Sequence, residues 1–377
     1  AVQEQDVLYW SESMHRVWAY SNKVSGTYEA AAPSSAAPSS VTVAGKTYAI
    51  ETTAAAYDLS DLGEFRVGDS ITLLLGRGDG VAAVVKPGQT GSASLVYGVV
   101  TAVTSVAYDD GKGGTYNADT ATIAATDGST YSYQVDNRYI KAGDLVRIDS
   151  QDGQVKLTRQ SSSSLTGRMN TAGTKLGSYE LAEDVEILDT YETCTPIRVY
   201  SSRLAGVDFK DDMVRFYTRN AQGEIDRLIL NDVTGDLHRY GVITAVTEVN
   251  MGVSATASSY QYDVGGSSMV FGAENKVYGL VTGPVQVKMD GAQSVERLYN
   301  LDSVALDTVS GNTALDSSGR ARLLADDVVV YTYADMAYRY LGQGLSQVAG
   351  GGYTLTGWYD KTESEGGRIR VIVAVPQ

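Results

Sequence analysis

The chain has 377 residues, 43% of them hydrophobic, and carries a net charge of −15 with a pI near 4.6. That length exceeds one ordinary core and suits several small ones, and the apolar content excludes a disordered acidic tail. The acidic balance excludes a nucleic-acid binder, whose ligand demands basic patches, and argues against an anionic membrane surface.

Strand patterns begin at once, with no signal peptide before them, as expected of a mature or trimmed segment. Trp10 and Trp18 flank a turn over residues 11–15, which predicts two indoles facing each other across a hairpin. A Pro/Ala/Ser stretch over 30–40 reads as a loop that buries little, followed by a strand pair around 41–50 and a short helix over 59–62. Ser70-Ile-Thr-Leu-Leu-Leu75 then runs to Gly76-Arg-Gly-Asp-Gly80, and Val81-Ala-Ala-Val-Val85 returns. Leu145–157 repeats this plan around Asp149-Ser-Gln-Asp-Gly153, and 213–230 repeats it around Asn220-Ala-Gln-Gly223. Residues 335–340 read as a second short helix, and a last hairpin joins 353–359 to 368–373. Alternating apolar and polar residues broken by Gly, Asn or Asp are hairpin signals, because such turns need positive φ. The aspartates in Val67-Gly-Asp69 and Ala142-Gly-Asp144 read as turn holders. Tyrosine outnumbers phenylalanine 26 to 4, which suits strands with one wet face.

The chain also repeats. Asp69, Gly80 and Gly98-Val-Val-Thr-Ala-Val-Thr104 return as Asp212, Gly223 and Gly241-Val-Ile-Thr-Ala-Val-Thr247, a constant spacing of 143 (212 − 69). Glu183-Asp184-Val185 and Asp326-Asp327-Val328 keep the same spacing, and 127–157 loosely matches 272–298. Ala19-Tyr-Ser-Asn-Lys-Val-Ser-Gly26 matches Val199-Tyr-Ser-Ser-Arg-Leu-Ala-Gly206 at a spacing of 180 (199 − 19), which implies an insertion in the first copy. The expected fold is all-β, an elongated array of small β-barrel or β-sandwich modules in the order A-B-A-B-A. The modules are A1 over 6–97 with an insertion over 28–66, B1 over 98–183, A2 over 184–240, B2 over 241–326 and A3 over 327–377. Ile71, Leu73, Val81, Val214, Phe216, Ile225, Leu228 and Val371 are expected in the cores.

No reaction is legible. The carboxylate pairs at Asp109-Asp110, Asp211-Asp212 and Asp326-Asp327 are chain neighbours, which a strand sends to opposite faces, so they do not make a convergent acid–base pair. The single Cys194 permits no intrachain disulfide and has no evident base; His15 and His238 are too few for a histidine-rich zinc site. Neither a nucleophile elbow nor a phosphate loop is present, so no catalytic residue and no organic cofactor is assigned. Asp109, Asp110, Asp149 and Asp152 lie in acidic, Gly-rich loops that could attract calcium, although neither loop follows the twelve-residue calcium pattern. Trp10, Trp18 and Trp358 are the candidate ligand-binding aromatics, with cross-strand packing as the simpler role.

Asp6-Val-Leu-Tyr-Trp-Ser-Glu-Ser-Met14, Val24-Ser-Gly-Thr-Tyr-Glu29, Ser40-Val-Thr-Val-Ala-Gly-Lys-Thr-Tyr48, Tyr57-Asp-Leu-Ser-Asp-Leu-Gly63 and Val67-Gly-Asp-Ser-Ile-Thr-Leu-Leu-Leu-Gly76 resemble the non-anchor region of S-layer-homology-domain surface proteins of gut Clostridia and related Firmicutes. The resemblance is best over 6–104 and includes no wall-anchoring domain. It implies an extracellular location at the surface of a Gram-positive bacterium and carries no catalytic motif. The expectation is a non-catalytic structural or interaction protein, S-layer-like or wall-associated, that self-associates or meets a wall or glycan partner, with no membrane span in this chain. The alternatives are a carbohydrate-binding surface protein and an enzyme of unrecognised type.

Overall fold

The computed structural model describes residues 5–377 except 14, 21, 44, 87–95, 110–114, 136–138, 152–153, 193, 251–255, 274–278, 291–293 and 343. The protein is all-β, with 59% strand, 6% helix and several sheets. In chain order the first strands are β1 (Val7–Ser11), β2 (Arg16–Tyr20), β3 (Lys23–Ala32), β4 (Ser40–Val43) and β5 (Lys46–Ala49), then helix α1 (Thr53–Asp58). Next come β6 (Ser70–Leu75), β7 (Val81–Val85), β8 (Val96–Asp109), β9 (Thr115–Ala125), β10 (Thr130–Gln134), β11 (Leu145–Gln151) and β12 (Gln154–Arg159). The middle holds β13 (Gly167–Arg168), β14 (Lys175–Leu176), β15 (Tyr179–Thr190), β16 (Ile197–Arg198), β17 (Asp208–Phe209), β18 (Val214–Arg219) and β19 (Ile225–Asn231). Then follow β20 (Arg239–Asn250), β21 (Thr256–Val264), β22 (Ser267–Ala273), β23 (Gly283–Met289), β24 (Val295–Asn300), β25 (Asp302–Ser310) and β26 (Thr313–Asp316). The last elements are β27 (Ala321–Ala334), β28 (Ala337–Tyr340), helix α2 (Leu345–Val348), β29 (Tyr353–Tyr359) and β30 (Ile369–Pro376).

The chain forms two compact units. The first comprises Ala1–Leu165, Tyr179–Tyr200 and Val214–Asn231. Its largest sheet runs β12-β11-β8-β9-β10-β3-β4-β5, with β6 paired to β3 and β7 to β6. The expected hairpins form because one face of each is apolar and the turns carry glycine: Leu73 sits opposite Val84, and Ile148 opposite Leu157. Asp69 accepts a hydrogen bond from the Arg66 amide at 2.7 Å and Asp144 from the Lys141 amide at 3.0 Å, so both hold turns as the sequence suggests. Tyr28 of β3 and the residues between β3 and β6 supply about half of a core. Tyr28, Val41, Val43, Tyr48, Leu59 and Phe65 pack with Ile71, Leu73 and Val81, and the Tyr28 hydroxyl donates to the Leu59 carbonyl at 2.7 Å.

The second unit comprises Thr166–Ser178, Ser201–Met213 and Asp232–Gln377. One sheet runs β22-β21-β20-β23-β24, and another β26-β25-β29-β30-β27-β28. Strand β30 is central: Ile369, Arg370, Val371, Ile372, Val373 and Ala374 are all buried. Ile372 and Ala374 face a core with Leu306, Val330 and Leu355, while Val371 and Val373 pack with Tyr240, Val242 and Tyr331. Burial on both faces is why this strand reads as a continuous apolar run from Val371 to Val375 after Arg370.

Repetition extends to strand order. The path β12-β11-β8-β9-β10 in the first unit and β24-β23-β20-β21-β22 in the second have the same connectivity. Both long first strands carry a bulge at the same place, at Thr101 and Thr244, and each threonine hydroxyl donates to a carbonyl of the facing strand at 3.2 Å. Similarly, β15 runs parallel to β19 and β27 parallel to β30, with irregular pairing after Leu181 and after Leu324. The acidic pairs Glu183-Asp184 and Asp326-Asp327 fall inside those irregular stretches and are exposed. All eight residues expected in the cores are buried.

Several expectations are corrected. The first helix spans Thr53–Asp58, where Thr52 caps Ala55 at 3.1 Å, and not 59–62; Leu59 closes it as a buried residue. Residues 335–340 form a hairpin turn and strand β28, because Asp335 and Met336 take positive φ of 52° and 59°, and Tyr333 and Tyr338 pair across it at 4.7 Å. The matched phrases at 19–26 and 199–206 differ: the first leads into β3, whereas Ser201–Leu204 is a 3-10 turn ending near Gly206 at φ 80°. The stretch 30–40 is not a free loop, since Ala30, Ala31 and Ala32 pair with Thr42, Val41 and Ser40.

Candidate functional site

The most concentrated chemistry lies in the second unit, around the loop from Asp232 to His238. Apolar strands surround it, and its charges come from residues far apart in the chain. Asp232 meets Lys288 at 2.9 Å, His238 Nε2 at 3.1 Å and Lys361 at 3.3 Å, and Lys361 also donates to the Asp232 carbonyl. Asp236 receives Arg203 through Nε and Nη2 at 2.9 and 3.0 Å, and Arg370 Nη1 at 2.6 Å. Asp360 accepts from the Tyr240 hydroxyl at 2.9 Å and the Gln286 amide at 3.2 Å, with Arg370 Nε at 3.5 Å. The Arg370 guanidinium lies 4.8 Å from the Tyr240 ring centroid and also donates to the Thr234 carbonyl.

Arg370 is only 1% exposed, on the centre of β30, and is tolerable there because two carboxylates, a ring face and a carbonyl surround it, although its Nε makes no hydrogen bond. Gly235 makes the closure possible. It sits at φ +70°, and an added Cβ would lie 2.4 Å from Asp360 Oδ2 and 2.7 Å from Arg370 Nη2.

The electrostatics favour full charge. Burial raises the Asp232 carboxyl, but the adjacent His238 and the charges of Lys361 and Lys288 outweigh it and hold Asp232 below its ordinary value. Asp236 follows the same balance, with Arg203 and Arg370 pulling it down against burial. Burial pushes the Tyr240 hydroxyl well up, so it stays a neutral donor. A general acid or base needs a proton that moves near neutral pH. These aspartates stay ionised, their partners are fixed, and the arrangement acts as a clamp that ties the loop to β23, β30 and Lys361.

Beside the clamp lies a small recess of about 40 Å³ lined by Arg322, Lys361, Arg368, Glu363, Thr362, Tyr359, Val304 and Ile369. Its cations already have acidic partners: Arg322 meets Asp316 at 2.8 Å, Lys361 meets Asp232, and Arg368 meets Asp326 at 3.3 Å. The first unit has a smaller buried group, in which Glu186 accepts from Thr126 at 2.7 Å and lies 3.5 Å from Arg227. Burial raises the Glu186 carboxyl against those two contacts.

The residues singled out in the sequence lie elsewhere. Asp110 and Asp152 are outside the described residues, as is the side chain of Asp109. Asp149 is engaged by Arg147 at 2.9 Å and by the Thr158 hydroxyl at 3.3 Å. No group of three or more His, Cys, Asp or Glu suited to a metal occurs among the described residues. Trp10 pairs with Val17 and Trp18 with Tyr9, so the two indoles point to opposite faces of the hairpin rather than toward each other. Trp10 is 70% exposed, whereas Trp358 is half-buried against the Tyr240 core, its indole N–H without a hydrogen-bond partner. Cys194 is buried. The clamp was missed because its members span 203 to 370. A local signal existed, an arginine inside the apolar run from Ile369 to Val375.

Among the described residues no helix is long and apolar enough to cross a membrane, which leaves β-barrels unaddressed. Comparison with protein-family models, curated proteins and solved structures finds no match.

Proposed function

We propose that this chain is a non-catalytic structural and interaction protein at the surface of a Gram-positive cell, built to hold repeated β-modules in the order A-B-A-B-A. The recurrence of one five-strand sheet order with the same threonine bulge carries the reading, because repeated units create surface without requiring a reaction centre. The clamp adds support: its charges are spent on each other and position no open nucleophile or base. The test has two parts. Antibody or protease should reach the protein on intact cells that express it, and the purified chain should bind isolated cell walls or sediment as an oligomer. A chain found only inside the cell, inert toward walls and itself, would refute the reading.

A glycan-binding role is a second reading, favoured by the open hairpin face that presents Trp10 with Leu8 and Val17. Soluble wall polysaccharide should then quench tryptophan emission in the native chain and not in Trp10→Ala. Equal quenching in both removes this reading.

A further inference from the structure

The turn joining β6 to β7 is more carefully built than a connection requires. Arg77, Gly78 and Asp79 form its tip, and all three are exposed. The Gly76 amide donates to the Gly80 carbonyl at 2.7 Å and closes the tip at its base. Beneath it the Tyr9 hydroxyl donates into the Glu51 carboxylate at 2.6 Å and accepts from the Arg77 amide at 3.2 Å. Gly76 leaves room for that pin, since a Cβ there would lie 2.0 Å from the Tyr9 hydroxyl and the ring would have to shift to admit it. Gly78 takes φ 68°, and Asp79 also takes positive φ, 62°, a conformation aspartate tolerates better than most residues.

The result displays one cation and one anion separated by a residue with no side chain. Neither charge is consumed within the protein. The Arg77 side chain is exposed, and Asp79 has only Lys46 at 3.8 Å, a pair whose side chains are 62% and 54% exposed and which contributes little. Net charge is −15, yet this tip offers a balanced pair. A complementary partner needs a carboxylate-lined slot for the guanidinium and a hard cation with an open position for the short carboxylate. The pinned backbone reduces the ordering such a partner must impose.

We propose that the Arg77-Gly78-Asp79 tip is a recognition epitope for a metal-bearing protein partner, of the class of animal-cell adhesion receptors that bind Arg-Gly-Asp peptides through a divalent cation. The proposal rests on the reading that the chain is displayed outside the cell. Its test does not share that dependence. The full chain is immobilised and a soluble headpiece of an Arg-Gly-Asp-binding adhesion receptor is passed over it in manganese or magnesium, then in EDTA. Saturable binding should appear with the metal, vanish in EDTA, yield to a free Gly-Arg-Gly-Asp-Ser peptide, and weaken at least about tenfold in Asp79→Asn and in Arg77→Ala. Asn keeps the positive-φ preference, and an unchanged melting temperature for both variants shows that only the epitope was altered. No binding by the native chain in manganese, or binding that survives EDTA or Asp79→Asn, overturns the proposal. Binding in vitro by a chain absent from the cell surface would refute the location alone.

Discussion

Gly235 is the single position on which the buried clamp depends most. Replacement by alanine sets a methyl 2.4 Å from a carboxylate oxygen at a φ of +70°, and should destabilise the protein by about 2–4 kcal/mol in urea titration. Asp236→Ala tests the charges. It leaves the buried Arg370 and Arg203 short of a counterion and should cost about 3–5 kcal/mol. Asp326→Asn is the control, because Asp326 is 92% exposed beside Arg368, and the change should stay within about 0.5 kcal/mol. Acid should undo the clamp. Asp232 and Asp236 bind their protons more weakly in the folded chain than in the unfolded one. Their contribution is therefore complete above the ordinary carboxylate value of about 3.9 and is lost as pH falls below it toward their folded values. Melting temperature followed from pH 7 to 3 should fall less steeply in Asp232→Asn than in the native chain, the neutral amide having no proton to gain.

The element that most changes an expectation is the β3–β4 hairpin. Its three rungs, Ala30–Thr42, Ala31–Val41 and Ala32–Ser40, hold the sheet edge beside Tyr28, while residues 33–38 form the connection. Replacing 33–38 by Asn-Gly should lower the melting temperature by no more than a few degrees, whereas deleting 30–40 removes all three rungs and should cost about 1–3 kcal/mol more. Equal losses would show that the connection itself is structural. Elements with a local rule were legible: Gly78 at φ 68°, Gly223 at φ 85° and the alternation around them fix hairpins by short-range chemistry. The 143-residue spacing of Gly98 and Gly241 likewise foretold two sheets of one order. Helix α1 escaped notice because an alanine run with one threonine cap has no apolar stripe. The pairing of Arg370 with Asp236 escaped for another reason: 134 residues lie between them, and no periodicity links a loop aspartate to a strand arginine.

For the whole molecule, net charge opposes assembly. At −15, copies repel over about a Debye length, roughly 8 Å at physiological salt, so sedimentation at low ionic strength should give a monomer. Millimolar calcium should promote association if the chain builds a coat; among the described pairings β1 and β2 pair only with each other and keep open edges for it. A monomer under every condition would leave display and binding as the remaining role. The central place of β30 has a further consequence, for synthesis rather than stability. Thr332 of β27 must wait for its partner Ala374, 42 residues (374 − 332) later in the chain. At about 5–20 residues per second the ribosome needs roughly 2–8 s to deliver it. During that interval β27 is a nascent strand whose parallel partner does not yet exist, and its unpaired backbone edge is open to any neighbouring chain. Slowing elongation between residues 332 and 374 should therefore raise the aggregated fraction, while leaving the stability of molecules that complete the sheet unchanged.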